Sequence, residues 1–136
     1  MFLQVTILHM VPPLILLMAS ESVPSWDLTS VHLAYCGAAP LSDATERLFL
    51  KKTGIPAIKQ GYGMTEAGPV LTVSPQKCWK SGSVGVPVPH TEVKVLDLNN
   101  GATLTANQTG ELCFRGPQIM KGNGVASLSG VIYGWL

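Results

Sequence analysis

The chain has 136 residues, 46% of them hydrophobic and only 12% charged, with a formal net charge of +1. A soluble domain usually carries about 25% charged residues, so this chain either meets a membrane or has faces that other protein segments cover; the second reading is preferred. The near-neutral balance, with Lys51-Lys52 as the only basic doublet, leaves no electrostatic case for nucleic acid or another polyanion as partner.

Phe2 to Leu8 reads as a buried strand, and Pro13 to Ala19 as a helix opened by proline, which suits a first turn. This apolar stretch has the look of a secretory leader. No Lys or Arg precedes it, however, and Pro12-Pro13 splits it. It also falls short of the roughly 20 apolar residues of a membrane span. No targeting signal and no span are assigned, and an intracellular setting, cytoplasmic or peroxisomal, is expected. Asn107-Gln108-Thr109 is a formal glycan acceptor that matters only if the leader reading holds.

Glu21 to Thr29 is a polar connection, and Val31 to Cys36 a second strand ending in Gly37-Ala38-Ala39-Pro40. Ser42 then has the chemistry of a helix N-cap, with Asp43 and Glu46 where the helix dipole favours acids. Ala44, Leu48 and Phe49 form the expected inward stripe, and Gly54 stops the helix. Pro56 to Lys59 is a third strand, leading into Gln60-Gly61-Tyr62-Gly63. Strand, helix, strand, helix, strand at this spacing predicts parallel βαβ units. Such sheets bind ligands beyond the carboxyl ends of their strands, where both glycine-rich stretches lie.

The second half changes character. Gly82 to Pro89 suits a turn or irregular ribbon, and Thr91 to Val95 alternates, with Val93 and Val95 on one face. Asn99-Asn100-Gly101 signals a turn, and Gly110 to Arg115 is another strand, with Glu111 and Arg115 on its solvated or paired face. The expected fold is α/β: a parallel βαβ segment over residues 1–75, an antiparallel β part over 76–122, and a divergent tail over 123–136 with no assigned structure. Cys36, Cys78 and Cys113 form neither a C-x-x-C pair nor an even set, and read as buried free thiols of a reducing compartment. His9, His32 and His90 are too separated to suggest metal ligands, and nothing in the sequence places His9 at a pocket.

The stretch from Gln60 to Pro69 carries the chemistry. Its glycines let the backbone approach a ligand closely, and it offers a ring at Tyr62, a hydroxyl at Thr65 and a carboxylate at Glu66. A nucleotide site needs a flat apolar face, phosphate donors and an oxygen ligand for Mg²⁺. On spacing alone, a glycine-rich turn with a Thr-Glu pair is more often simply the start of a helix.

Four motifs in order alter that balance. Gly37-Ala38-Ala39-Pro40-Leu41 is followed by Gly61-Tyr62-Gly63-Met64-Thr65-Glu66-Ala67-Gly68-Pro69, then by Lys80-Ser81-Gly82-Ser83-Val84-Gly85. Last comes Thr109-Gly110-Glu111-Leu112-Cys113-Phe114-Arg115-Gly116-Pro117 with Met120-Lys121-Gly122. Over roughly residues 1–122 the chain resembles the adenylate-forming superfamily, in its 4-coumarate–CoA ligase, luciferase and acyl-CoA synthetase branch. The resemblance implies an incomplete piece from the middle of the N-terminal AMP-binding domain of an ATP-dependent acid–CoA ligase. Such an enzyme joins a carboxylic acid to AMP and then passes the acyl group to coenzyme A. The cofactors so implied are ATP or AMP, Mg²⁺, and coenzyme A as co-substrate; the partners are a small carboxylic acid and a nucleotide.

By position, the resemblance sets Gly37, Ala38, Ala39 and Pro40 beside the adenine and the acyl pocket. It sets Gln60, Gly61, Tyr62 and Gly63 around the adenine, and Gly61, Pro69 and Val70 on the acyl side. Thr65 corresponds to the threonine that contacts the α-phosphate, and Glu66 to the glutamate that holds Mg²⁺; these two are the catalytic candidates. The family's phosphate loop, hinge and C-terminal catalytic lysine have no counterpart here. Gly134-Trp135-Leu136 matches only the opening of the element bearing the ribose-binding aspartate. The chain alone is therefore expected to be inactive and to self-associate through uncovered faces. The alternative is a non-catalytic nucleotide-binding or interaction protein of the same descent.

Overall fold

The computed structural model describes residues 4–20, 27–77, 80–120 and 130–131. In chain order the elements are β1 (Ile7–Met10), α1 (Pro12–Ala19), β2 (Leu33–Cys36), α2 (Asp43–Thr53) and β3 (Ile58–Tyr62). A 3-10 helix (Thr65–Ala67) follows, then β4 (Thr72–Val73), β5 (Val86–Pro87), β6 (Glu92–Leu96), β7 (Glu111–Arg115) and β8 (Gly130–Val131). One sheet runs β1-β2-β3-β4-β5, parallel through β3 and antiparallel beyond it. The other is antiparallel, β6-β7-β8. This is the α/β arrangement expected from the sequence. The motif residues Lys121 and Gly122, the Gly134-Trp135-Leu136 ending and Cys78 lie outside the described residues.

Local chemistry explains the helices. Pro12 and Pro13 open α1, where no amide hydrogen is needed. In α2 the Ser42 hydroxyl accepts the Thr45 amide at 3.2 Å. Asp43 and Glu46 occupy its first turn and Lys51 and Lys52 its last, both favourable to the helix dipole. Gly54 closes the helix, its N–H donating to the Leu50 carbonyl. The two helices pack on one face of the parallel strands over a core of Ile15, Val31, Ala34, Cys36, Leu41, Phe49, Ile55 and Ile58.

Three expectations shift. The inward stripe of α2 includes Phe49, but Leu48 is 56% exposed and Ala44 also faces out. The face actually buried is Glu46 and Phe49, with Leu50 and Thr53 half-buried beside them; these follow the three-to-four-residue spacing of a helix. Of the strand expected from Phe2 to Leu8, Phe2 and Leu3 lie outside the described residues; the described strand covers Ile7–Met10, set by pairing from Ile7 opposite Leu33 to Met10 opposite Cys36, and it is exposed at Ile7 and His9 rather than buried. The third runs on through the glycine-rich stretch to Tyr62, because β4 supplies antiparallel partners for Gly61 and Tyr62.

On β6 and β7 the sequence alternation matches the burial, with Leu112 buried and Val93 and Val95 half-buried. Arg115 pairs with Glu92 across the strands, both well exposed, so the pair contributes little stability. Helix α1 is apolar on every side: Ile15 is fully buried, while Leu16 and Leu17 stand 59% and 54% exposed. No helix among the described residues is long and apolar enough to cross a membrane. Ser42→Ala is expected to destabilise the chain by about 1 kcal/mol, seen as a lower denaturant midpoint at unchanged slope.

Candidate functional site

The parallel strands place their carboxyl ends side by side, and a cavity of about 620 Å³ opens there. Strand β1 contributes His9 and Met10; the end of β2 contributes Tyr35, Cys36, Gly37 and Ala38. The end of β3 and the turn after it contribute Gly61, Tyr62, Gly63, Met64 and Thr65. The chain then returns along the opposite side as Pro69, Val70, Thr72 and Val73. The return is tight: a Cβ on Gly63 would fall 1.8 Å from the Pro69 carbonyl oxygen, so only glycine fits.

Of the candidates named from sequence, Gly37, Ala38, Gly61, Tyr62, Gly63, Thr65, Pro69 and Val70 line this cavity. Ala39, Pro40, Gln60 and Glu66 do not. Ala39 and Pro40 are exposed beyond the end of β2. Gln60 is buried, and its Nε2 donates to Glu46 Oε2 at 3.4 Å. Like Ile58 two residues earlier, it faces the helices, because side chains alternate along a strand. Any influence of its side chain on a ligand is therefore indirect. Glu66 is exposed on the 3-10 helix next to Thr65.

Sequence reasoning missed the other wall. The imidazole of His9 and the ring of Tyr35 stack with centroids 5.6 Å apart and planes 12° from parallel. They meet because β1 and β2 pair in parallel with His9 opposite Tyr35. Tyr35 lies two residues before Gly37 and so on the same strand face, a signal the sequence did carry. His9 needed the strand register. Tyr62 meets Phe114 of β7, with centroids 6.1 Å apart and planes tilted by 33°, which ties the cavity to the second sheet.

On the helix side of the sheet, Glu46 is only 2% exposed. Burial pushes its carboxyl above the usual 4.5; hydrogen bonds from Ser81 and Gln60 and the charge of Arg47 pull it down, and Asp43 pushes it up. Burial, aided by Glu46, pushes the Cys36 thiol up to about 11. Cys36 is thus a protonated thiol at neutral pH and no nucleophile.

No Lys or Arg is among the described lining residues. Phosphate charge placed here must be balanced by a cation or by groups beyond the lining. No cluster of three His, Cys, Asp or Glu able to grip a metal exists among the described residues. A single carboxylate such as Glu66 nonetheless suits Mg²⁺, which commonly takes one or two carboxylates and completes its shell with phosphate oxygens and water.

A family model described as "AMP-binding enzyme" matches residues 3–122. The chain is 44% identical over 124 residues to 4-coumarate-CoA ligase 2 of Narcissus pseudonarcissus, covering 87% of this chain and 22% of that protein. A long-chain-fatty-acid–CoA ligase from Archaeoglobus fulgidus superposes with a TM-score of 0.74 at 32% identity, covering 86% of this chain and 26% of the other. ATP-bound MatB from Rhodopseudomonas palustris gives 0.76 at 30% identity, covering 86% and 23%. The chain therefore spans about a fifth to a quarter of the length of these proteins.

The buried carboxyl has a pH signature. A carboxyl raised in the folded state supports folding fully below its unfolded value, and that support is lost as pH rises through the folded value. Glu46→Gln, which stays neutral, should gain stability relative to the parent chain as pH rises from 4.5 towards neutrality. Denaturation curves across that range check it; a constant difference would show that Glu46 titrates normally.

Proposed function

The chain belongs to the AMP-binding enzyme family, and from that premise we propose that it forms part of the adenylating site of an ATP-dependent acid–CoA ligase. The observation that carries this reading is the composition of the cavity at the strand ends. A hydroxyl on a glycine-rich turn, Thr65, shares it with an apolar and aromatic wall built from Met10, Val70 and the His9–Tyr35 stack. A carboxylic acid has its tail against that wall and its carboxylate towards Thr65. The nucleotide lies along Gly37, Ala38 and Gly61 to Gly63, with the Tyr62 ring beside the base.

In this reaction a carboxylate oxygen attacks the α-phosphorus of ATP, the bond to pyrophosphate breaks, and acyl-AMP forms. The sulfur of coenzyme A then attacks the acyl carbon and AMP leaves. The Thr65 hydroxyl donates to an α-phosphate oxygen as charge builds there; one such donor is worth about 3 kcal/mol of transition-state stabilisation. Glu66, on the same short turn, would hold Mg²⁺, which would supply positive charge against the phosphates. Cys36 lines the cavity as a protonated thiol and so offers no competing nucleophile. With no basic side chain among the described lining residues, the 136-residue chain binds nucleotide without turning it over. The free thiols of Cys36 and Cys113 suit a reducing, intracellular compartment.

A second reading, a non-catalytic interaction protein, draws on α1. A helix apolar all round is normally covered on all sides, and the exposed Leu14, Leu16 and Leu17 suit contact with another chain. That contact is first of all with a second copy.

Two measurements test these readings. Calorimetry should show Mg-ATP or AMP binding to the chain, weakened by about tenfold or more in a Thr65→Ala, Glu66→Ala double variant, a loss of roughly 1.4 kcal/mol. Equal binding by both would remove the turn from the site. Sedimentation should show concentration-dependent association that Leu16→Glu with Leu17→Lys abolishes; a monomer at every concentration would dispose of self-association.

A further inference from the structure

The turn bearing Thr65 and Glu66 has little to hold it from within. It is three residues long, closed by the Ala67 amide on the Met64 carbonyl at 2.9 Å and the Gly68 amide on the Thr65 carbonyl at 3.3 Å. A single turn of 3-10 helix is only marginally stable in isolation. Thr65 and Glu66 are both exposed, and of the turn's side chains only the single methyl of Ala67 is buried.

What fixes them comes from the other sheet. After β7 the chain runs over the turn, and the Met120 amide donates to the Glu66 carbonyl at 2.8 Å. Gln118 sits directly on Gly68, whose φ is +71°; a Cβ there would lie 2.9 Å from the Gln118 carbonyl oxygen. This close seating requires glycine twice over, for the backbone angle and for the space. The Gln118 Cβ and Cγ cover the same spot, at 3.1 and 3.5 Å, and the end of the side chain reaches Thr91, its Nε2 donating to Thr91 Oγ1 at 2.6 Å. Thr91 immediately precedes β6, and β6 pairs with β7 from Glu92 opposite Arg115 onward. The segment from 116 to 120 is thus anchored at one end by strand pairing and in its middle by Gln118 on Thr91.

We infer that Gln118 is a positioning residue: held by Thr91, it presses the 116–120 segment onto Gly68 and so orients the turn that presents Thr65 and Glu66 to the cavity. The antiparallel sheet is therefore a brace for the phosphate-handling turn of the parallel one. The role in catalysis rests on the adenylating reading above, but the mechanical coupling does not.

The test uses Gln118→Ala, Thr91→Val and Thr91→Ser in the full chain, with two readouts. The first is amide hydrogen exchange. Gln118→Ala and Thr91→Val should speed exchange at Ala67, Gly68 and Met120 by about tenfold, as expected from loss of one side-chain hydrogen bond. Amides of the β1–β2 pair should stay within about twofold of the parent. Thr91→Ser keeps the hydroxyl and should behave as the parent. The second readout is Mg-ATP binding, which should weaken in the first two variants and recover in Thr91→Ser. Unchanged exchange at the turn, or an equal rise throughout the chain, overturns the inference. If the parent chain binds no nucleotide, the adenylating reading fails while the exchange pattern still decides the coupling.

Discussion

Parallel pairing of β2 with β3, from Ala34 opposite Ile58 to Cys36 opposite Gln60, is the constraint from which the site follows. Strand β2 ends at Cys36, opposite Gln60, and β3 continues two residues further to Tyr62, so the glycine-rich stretch that leaves the sheet after Cys36 lies beside the one that closes β3. Pairing of β1 with β2 brings His9 to the same level. Parallel strands cannot be joined by short turns and need helical crossovers on a sheet face. Helices α1 and α2 occupy one face and bury it, and the cavity opens at the strand ends where no crossover covers it.

The helix-covered face of the sheet has a chemical cost. Glu46 lies on the buried face of α2, and its charged form is disfavoured there. Its contact with Gln60 and the hydrogen bond from Ser81 offset part of this. The same carboxyl links three separate pieces: the first turn of α2, the strand that leads to the Gly61–Gly63 turn, and the Lys80–Gly85 stretch. The single Ser81 proton is shared with Asp43, whose Oδ1 lies 3.2 Å away, so one side chain ties that stretch to the first turn of α2. A buried polar contact of this kind has a defined geometry that an apolar one lacks, and it helps fix where β3 sits relative to α2.

The two sheets meet at the site rather than away from it. Tyr62 touches Phe114, and the segment after β7 lies across the turn after β3. Neither sheet alone would define the position of Thr65. The exposed apolar surface of α1 is a different matter, since no residue of that helix lines the cavity.

Much of this was legible in the residues because it is local. Ser42 capping α2, Gly54 ending it, the proline start of α1 and the alternation through β6 each depend on a few consecutive side chains. The ordered motifs from Gly37 to Met120 likewise marked the cavity and most of its lining. Other features arose only on folding. The inward face of α2 turned out to be Glu46 and Phe49 rather than Ala44 and Leu48, because the sheet selects which side of the helix is buried. Gln60 turned to Glu46 because its parity along β3 is counted from the pairing with β2. His9 joined Tyr35, and Gln118 reached Gly68, across separations of 26 and 50 residues in the chain, where no periodicity reports a contact. Sequence alone determined the elements and the chemistry of the turn. Strand register and the docking of one sheet on the other decided which side chains face the cavity, since both are set by contacts between distant segments.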